Sequence, residues 1–180
     1  MSSPQQEKPE LVSPFDSSID LGAIARSRVE VACRPAATDA ERAICAQLRH
    51  AVFVVEQSIF DLTDQDLRDA DDATIHLIAD VGGVAGGTVR IYRLDDSELW
   101  KGDRLAVAAP LRTMVIGRRL VQTAVRTAGE MGGHEMVATV QVPNTPFFER
   151  LGWRRIGEPS VAYALPHQEM RIGLSGGRFT

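Results

Sequence analysis

Cysteine is scarce in this sequence: Cys33 and Cys45 are the only two among 180 residues. Their separation matches no metal-ligand spacing, so no metal site is expected. Free cysteine is a buried residue type, and both thiols read as small core residues. Aromatics are also few, at 6%. Phe53, Trp100, Phe147 and Trp153 form no ladder on which single-stranded nucleic acid would stack, and they read as core or cleft-wall residues. Excess positive charge is lacking as well. The 20 Lys and Arg against 24 Asp and Glu leave a net charge of -4, so no nucleic-acid partner is expected from phosphate neutralisation. No apolar run approaches the length that spans a bilayer, which argues against a membrane role. The stretch Met1 to Glu10 lacks the apolar centre of a signal peptide, so a cytoplasmic location with reduced thiols is expected.

What is present is a chain with 44% hydrophobic and 24% charged residues, the composition of a globular domain. Its length suits one domain with a substantial core. Residues 1–27 are rich in Ser, Pro, Gln and charge, and read as a flexible N-terminal tail. Residues 28–172 carry the periodic patterns of the domain, and residues 173–180 read as a C-terminal tail. Arg28 to Arg34 alternates in character and predicts a strand that Pro35 stops. Thr38 and Glu41 form a capping-box pattern, behind which Ala40, Ile44, Leu48 and Val52 repeat at helical spacing to about Val55. The Asp-rich stretch from Asp61 to Asp72 reads as a loop with room for one helical turn. Thr74–Asp80, Val84–Leu94 and Leu99–Ala108 are extended, and Gly82-Gly83 predicts a hairpin between the first two. Ile116 to Met131 returns to helical period and stops at Gly132-Gly133. Met136–Val142 is a strand, Thr145-Pro146 opens a short helix that Gly152 closes, and Arg154–Glu158 and Gln168–Ile172 are final strands. This order predicts an α/β (α+β) domain in which helices pack on a mixed central sheet.

Chemistry concentrates between Leu105 and Val121. There a buried strand passes through a short loop into a helix whose first turn holds Gly117, Arg118 and Arg119. A helix start offers unpaired amides and the positive end of a dipole, which suits phosphate. Arg112, Arg118 and Arg119 would add charge-assisted contacts. The alternative is that these arginines simply face solvent at the head of a surface helix. For a general base, Glu56 is the first candidate, as a helix-end carboxylate whose pKa would be raised by partial burial. A plain salt bridge is the competing reading of that residue. His76 and His167 are also considered, each against a structural role. Asp69, Asp71 and Asp72 would attract a cationic acceptor if gathered, or else form a solvated loop.

The spacing Leu105-x-Val107, four residues, then Arg112-x-x-Val115-Ile116-Gly117-Arg118-Arg119-Leu120-Val121 resembles the pyrophosphate-binding segment of GNAT acetyltransferases. That segment has the pattern Arg/Gln-x-x-Gly-x-Gly/Ala. Asn144-Thr-Pro-Phe-Phe-Glu-Arg-Leu-Gly-Trp153 is similar to the superfamily's Asn-x-x-Ala-x-x-Phe-Tyr-Glu-Lys-Leu-Gly-Phe helix, shortened before the aromatic pair. Arg49-His-Ala-Val-Phe-Val-Val-Glu-Gln57 resembles a subgroup with Arg-x-x-Val-Phe-Val-x-Glu-Gln, and acyl-homoserine-lactone synthases share a related segment. Pro166-His-Gln-Glu-Met170 resembles the superfamily's last strand. The likeness spans about Arg28 to Ile172, and its finer placement is a nitrogen-starvation-associated bacterial subgroup.

The resemblance implies a mostly antiparallel sheet that splays to admit acetyl-CoA as co-substrate, with no metal. Leu105, Ala106 and Val107 would face the pantetheine arm. Amides of Thr113, Met114, Val115, Ile116, Gly117 and Arg118, with the Arg112 and Arg118 side chains, would hold the pyrophosphate. Asn144 and Phe148 would flank the arm near the thioester. The implied reaction is direct attack on the acetyl group by a primary amine, that of a small molecule or of a protein. Two departures stand out. Val115 replaces the first motif glycine, and Phe148 replaces the tyrosine that usually protonates the thiolate. Both favour a rival reading as a non-catalytic acyl-CoA-binding or interaction module, while the Arg49–Gln57 segment suggests acyl-homoserine-lactone-synthase-like transfer. An exposed final strand could pair in a homodimer, though the sequence does not fix the oligomeric state.

Overall fold

The computed structural model describes residues 10–94 and 98–174. Seven strands form one sheet: β1 (Val31–Pro35), β2 (Ile75–Val81), β3 (Val84–Arg93), β4 (Leu99–Val107), β5 (Glu135–Gln141), β6 (Arg154–Ala162) and β7 (Leu165–Gly173). Their order is β1-β2-β3-β4-β5-β7-β6. All neighbours run antiparallel except β4 and β5, which are parallel. Helices α1 (Leu21–Arg26), α2 (Asp39–Arg49), α3 (Ile116–Glu130) and α4 (Thr145–Glu149) complete the α/β fold, so the expected mixed, mostly antiparallel sheet is present.

Local signals explain most of these elements. The Thr38 hydroxyl accepts from the Glu41 amide and starts α2, while the Glu41 carboxylate accepts from the Ala37 amide at 2.8 Å, a variant of the reciprocal cap. Beyond Arg49 the helix does not continue as α to Val55. It widens into a π-helical stretch, His50–Glu56, whose β-branched Val52, Val54 and Val55 crowd an α turn. α3 is the crossover that a parallel β4–β5 pair requires. It buries Ile116, Leu120, Val121, Ala124 and Ala128 against the sheet. Gly86 and Gly87 of β3 permit that approach: a Cβ on Gly87 would lie 2.9 Å from the Ala106 carbonyl and 3.0 Å from Ile116.

Three expectations are corrected. First, the flexible tail of residues 1–27 does not extend through residues 10–27. Leu11 is 5% exposed within the core, and Val12 bridges Val84 through Val12 N–H to Gly83 O (2.9 Å) and Ala85 N–H to Val12 O (3.0 Å). α1, capped by Asp20, follows. Leu11, the two bridge hydrogen bonds, and the packing of Leu21, Ile24 and Ala25 against the core order this polar segment. Second, β7 runs through Gly173, and Leu174 is buried with its amide on the His134 carbonyl. Residues 1–9 and 175–180 of the two expected tails lie outside the described residues. Third, the final strand is not the exposed edge. β7 lies between β5 and β6, so β6 is the edge. Both hairpin strands are longer than the sequence suggests. Gly157 and Pro159 fall in a bulge between Ile156 and Ser160, where a missing N–H costs no ladder bond. Tyr163 and Ala164 then turn the chain with positive φ at both positions.

Candidate functional site

β4 and β5 pair at only three positions, Leu99–Glu135, Trp100–Met136 and Lys101–Val137, and then diverge. Their separation opens a cavity of about 510 Å³ through the sheet. On the α3 and α4 side it is walled by Val121, Ala124, Met136, Phe148 and Trp153. On the opposite side Phe53, Gln57 and Phe60, from the end of the first helix and its loop, face Tyr163 of the β6–β7 turn. Phe60 and Tyr163 rings meet at 4.9 Å across this opening.

Of the residues expected near a CoA arm, Leu105, Asn144 and Phe148 line the cavity. Ala106 and Val107 continue β4 past its last pair with β5. Phe148 is buried, edge-on to both Phe147 and Trp153. α3 starts beside them: a Cβ on Gly117 would lie 3.8 Å from the Phe147 ring and 3.9 Å from Val107. The first hydrogen bond of this helix start is Arg119 N–H to Val115 O, 3.0 Å. The amides of Ile116, Gly117 and Arg118 therefore precede the helical ladder. Thr113 and Arg118 are exposed, Met114 is half-buried, and Val115 is the cap residue. Val115 has φ -78 and is 51% exposed, so the positive φ that a glycine at this motif position would permit is not used. The loop follows an ordinary path instead.

Glu56 and Arg112 are where the expectation fails. Arg112 Nη1 and Nη2 donate to the two Glu56 carboxylate oxygens at 2.5 and 2.7 Å, and Nε donates to the Val107 carbonyl at 3.2 Å. The Arg112 hydrogen bonds outweigh desolvation and hold the Glu56 carboxyl below its usual range. The expected raised pKa is thus reversed, and the salt-bridge alternative is the one observed. Glu56 also stands outside the cavity lining. Arg112 is turned toward Glu56 rather than free.

The histidines separate. His76 faces a second, open concavity shared with Arg42, Gln47 and His50, not the cavity between β4 and β5. Burial lowers its pKa, and its Nδ1 has no partner among the described residues. His167, by contrast, lines the central cavity.

A buried ionic network braces the same cavity, and the sequence reading did not assemble it. Arg49 and Arg90 are each 1% exposed. Arg49 Nε meets Asp64 at 2.6 Å and its Nη1 meets Asp69 at 2.5 Å. Arg90 donates to Asp66 and Asp69 through Nη1 (2.7 and 2.8 Å) and to Asp103 through Nε (2.8 Å). Arg104 joins through Asp64 at 3.2 Å. Asp69 is therefore not part of a solvated cation trap. Burial acts to raise its pKa, but the Arg49 hydrogen bond and the Arg charges prevail and hold it far below the usual range. Asp71 pairs with Arg68 instead. The Asp-x-x-Asp spacing of Asp66 and Asp69 was the available signal, yet it named no partner. Burial raises both thiols, Cys33 and Cys45, to about 11, as inert packing residues require. Among the described residues no helix is long and apolar enough to cross a membrane, and no group of three or more His, Cys, Asp or Glu is arranged for a metal ion.

A model of the acetyltransferase (GNAT) family matches residues 42–153. Three solved structures share the fold. Escherichia coli ElaA is 23% identical with a TM-score of 0.70, over 79% of this chain and 98% of that one. An acyl-CoA N-acyltransferase from Pseudomonas aeruginosa is 23% identical with a TM-score of 0.68, over 79% and 98%. Salmonella typhimurium yncA, solved with its cofactor acetyl-CoA, is 20% identical with a TM-score of 0.65, over 84% and 98%.

Proposed function

The chain belongs to the GNAT family of acetyltransferases, and from that premise we propose that it moves an acetyl group from acetyl-CoA to a primary amine of a small molecule by direct attack. The observation that carries the reading is the splay of β4 from β5, whose cavity lies beside the unpaired amides opening α3. Acetyl-CoA as co-substrate supplies the activated acyl group. Leu105, Ala106 and Val107 present the main-chain edge that β5 leaves free. The amides of Thr113, Val115, Ile116, Gly117 and Arg118, with the Arg118 side chain, hold the anionic end through the helix dipole and direct hydrogen bonds, while the Met114 amide is taken by the Leu111 carbonyl at 3.0 Å. Arg112 joins them when it leaves Glu56. Asn144 and Phe148 flank the narrow part of the channel.

The acceptor approaches on the face away from α3, beside the contact of Phe60 with Tyr163. Catalysis then rests on holding amine and thioester together in the cavity in reacting geometry. With Phe148 in place of a phenol, the thiolate is protonated by solvent; a thiol of pKa about 8.5 tolerates this near neutral pH. The same residue supports a second reading, a non-catalytic acyl-CoA-binding module. Titration calorimetry with acetyl-CoA, CoA and dephospho-CoA tests the shared premise. Micromolar affinity, about -8 kcal/mol, is expected, and no heat at millimolar ligand would reject it.

A further inference from the structure

We propose that His167 is the general base of this site, accepting the proton of the attacking amine on Nε2. The proposal rests on the acetyl-transfer reading above, and it assigns a residue whose position the strand pairing determines.

His167 opposes Gln141 in the β5–β7 ladder. Residues directly opposite in an antiparallel pair put their side chains on one face of the sheet. Gln141 identifies that face, because its Nε2 donates to Gln57 Oε1 at 3.1 Å, at the end of the first helix. His167 therefore points to the side where the acceptor enters, and its ring lies 6.3 Å from that of Tyr163. The residue is only 6% exposed, yet it lines the cavity. Its Nδ1 lies 2.9 Å from the Leu165 carbonyl. A carbonyl oxygen only accepts, so Nδ1 carries a proton, and in the neutral imidazole the lone pair is on Nε2. No described residue bonds Nε2, and the residue lines the cavity, so Nε2 is the ring nitrogen left to face it. An imidazole oriented through one nitrogen with the other free is the arrangement a general base needs.

The other titratable groups of the cavity wall are already committed. Asp66 and Asp103 are each held by two Arg90 nitrogens, at 2.7 and 2.9 Å and at 2.8 and 2.8 Å. Burial pushes the Tyr92 phenol up to about 12. A guanidinium and an ammonium have no lone pair to offer, which removes Arg104 and Lys101. Tyr163 is a phenol, a weak acceptor of protons as neutral O–H. Glu56 is outside the cavity and bound to Arg112. In the step itself the amine nitrogen bonds the acetyl carbon, the carbon–sulfur bond breaks, and Nε2 takes the proton the amine loses. That proton returns through solvent to the thiolate.

The test uses the full chain, acetyl-CoA, and a panel of primary amines spanning alkylamines, arylalkylamines, amino acids and polyamines, with released thiol as the readout. With the best amine, His167→Gln is expected to lower turnover about a hundredfold or more, while CoA affinity by calorimetry stays within twofold. Gln keeps a donor for Leu165, and millimolar imidazole should restore part of the turnover of His167→Ala. Turnover of His167→Gln close to the parent's would overturn the role of His167 alone. So would a loss that imidazole does not relieve and that accompanies a lowered melting temperature. A parent protein that binds acetyl-CoA but acetylates no amine in the panel would overturn the acetyl-transfer reading, and this proposal with it.

Discussion

Replacing Glu56 by Gln separates two roles that the residue would play very differently. As observed, Glu56 is one half of a bidentate pair with Arg112, and both side chains are about 40% exposed. Pairs so open to water contribute about 0.2–1 kcal/mol, so the variant should lose less than about 1 kcal/mol of stability. The same change frees the Arg112 guanidinium from its carboxylate while leaving its Nε near the Val107 carbonyl. If Arg112 then serves the pyrophosphate, the energy released from the pair appears as affinity. About 1 kcal/mol is roughly a fivefold gain, which sets the upper limit for tightening of CoA. Turnover with the best amine should stay within about threefold, since loss of a true general base costs about a hundredfold or more. Calorimetry, urea unfolding and thiol release measure the three quantities on one preparation. A hundredfold fall in turnover with unchanged CoA affinity would refute the reasoning and return Glu56 to the role of base.

Glu41→Gln should destabilise the protein in a pH-dependent way. The Arg34 hydrogen bonds hold the Glu41 carboxyl at about 2 against an ordinary 4.5, so its contribution is full above pH 4.5 and is lost as pH falls through about 2. The expected cost is about 2–3 kcal/mol at pH 7, falling to about half at pH 3. Equal costs at the two pH values in urea titrations would show that the ion pair is not the source. Deleting residues 1–27 should lower the melting temperature by about 10 °C. Loss of the Leu11 side chain and the Val12 bridge is worth about 3 kcal/mol, at roughly 2–4 °C per kcal/mol for a chain of this size. A melting temperature within 2 °C of the full chain would mean that this segment adds nothing.

Much of the fold could be read before any coordinates, because its signals are local. The Thr38 cap, the stripe from Ile116 to Ala128, the Gly82-Gly83 hairpin and Pro146 at the head of α4 each act over a few residues, through hydrogen bonds and sterics that any context preserves. The runs Arg112–Val121 and Asn144–Trp153 carried a resemblance to the family, because each is a short stretch of fixed spacing. What failed locally failed where a tertiary partner overruled composition. The polar residues 10–27 are ordered where Val84 and the core receive Val12 and Leu11. Gly157 and Pro159 read as breakers, but sit in a bulge on an edge strand. The site depends still more on long separations. Arg112 finds Glu56 across 56 positions, Arg90 gathers aspartates 13 to 24 residues away, and Gln141 reaches Gln57 across 84. No periodicity encodes such pairings, and a carboxylate's pKa follows the partner it meets. The sequence by itself determined most of the regular elements and the likeness to the acetyltransferase family. Only the tertiary structure decided which charges neutralise one another and which imidazole nitrogen opens onto the cavity, because those outcomes depend on strand order and register that bring distant residues to one face.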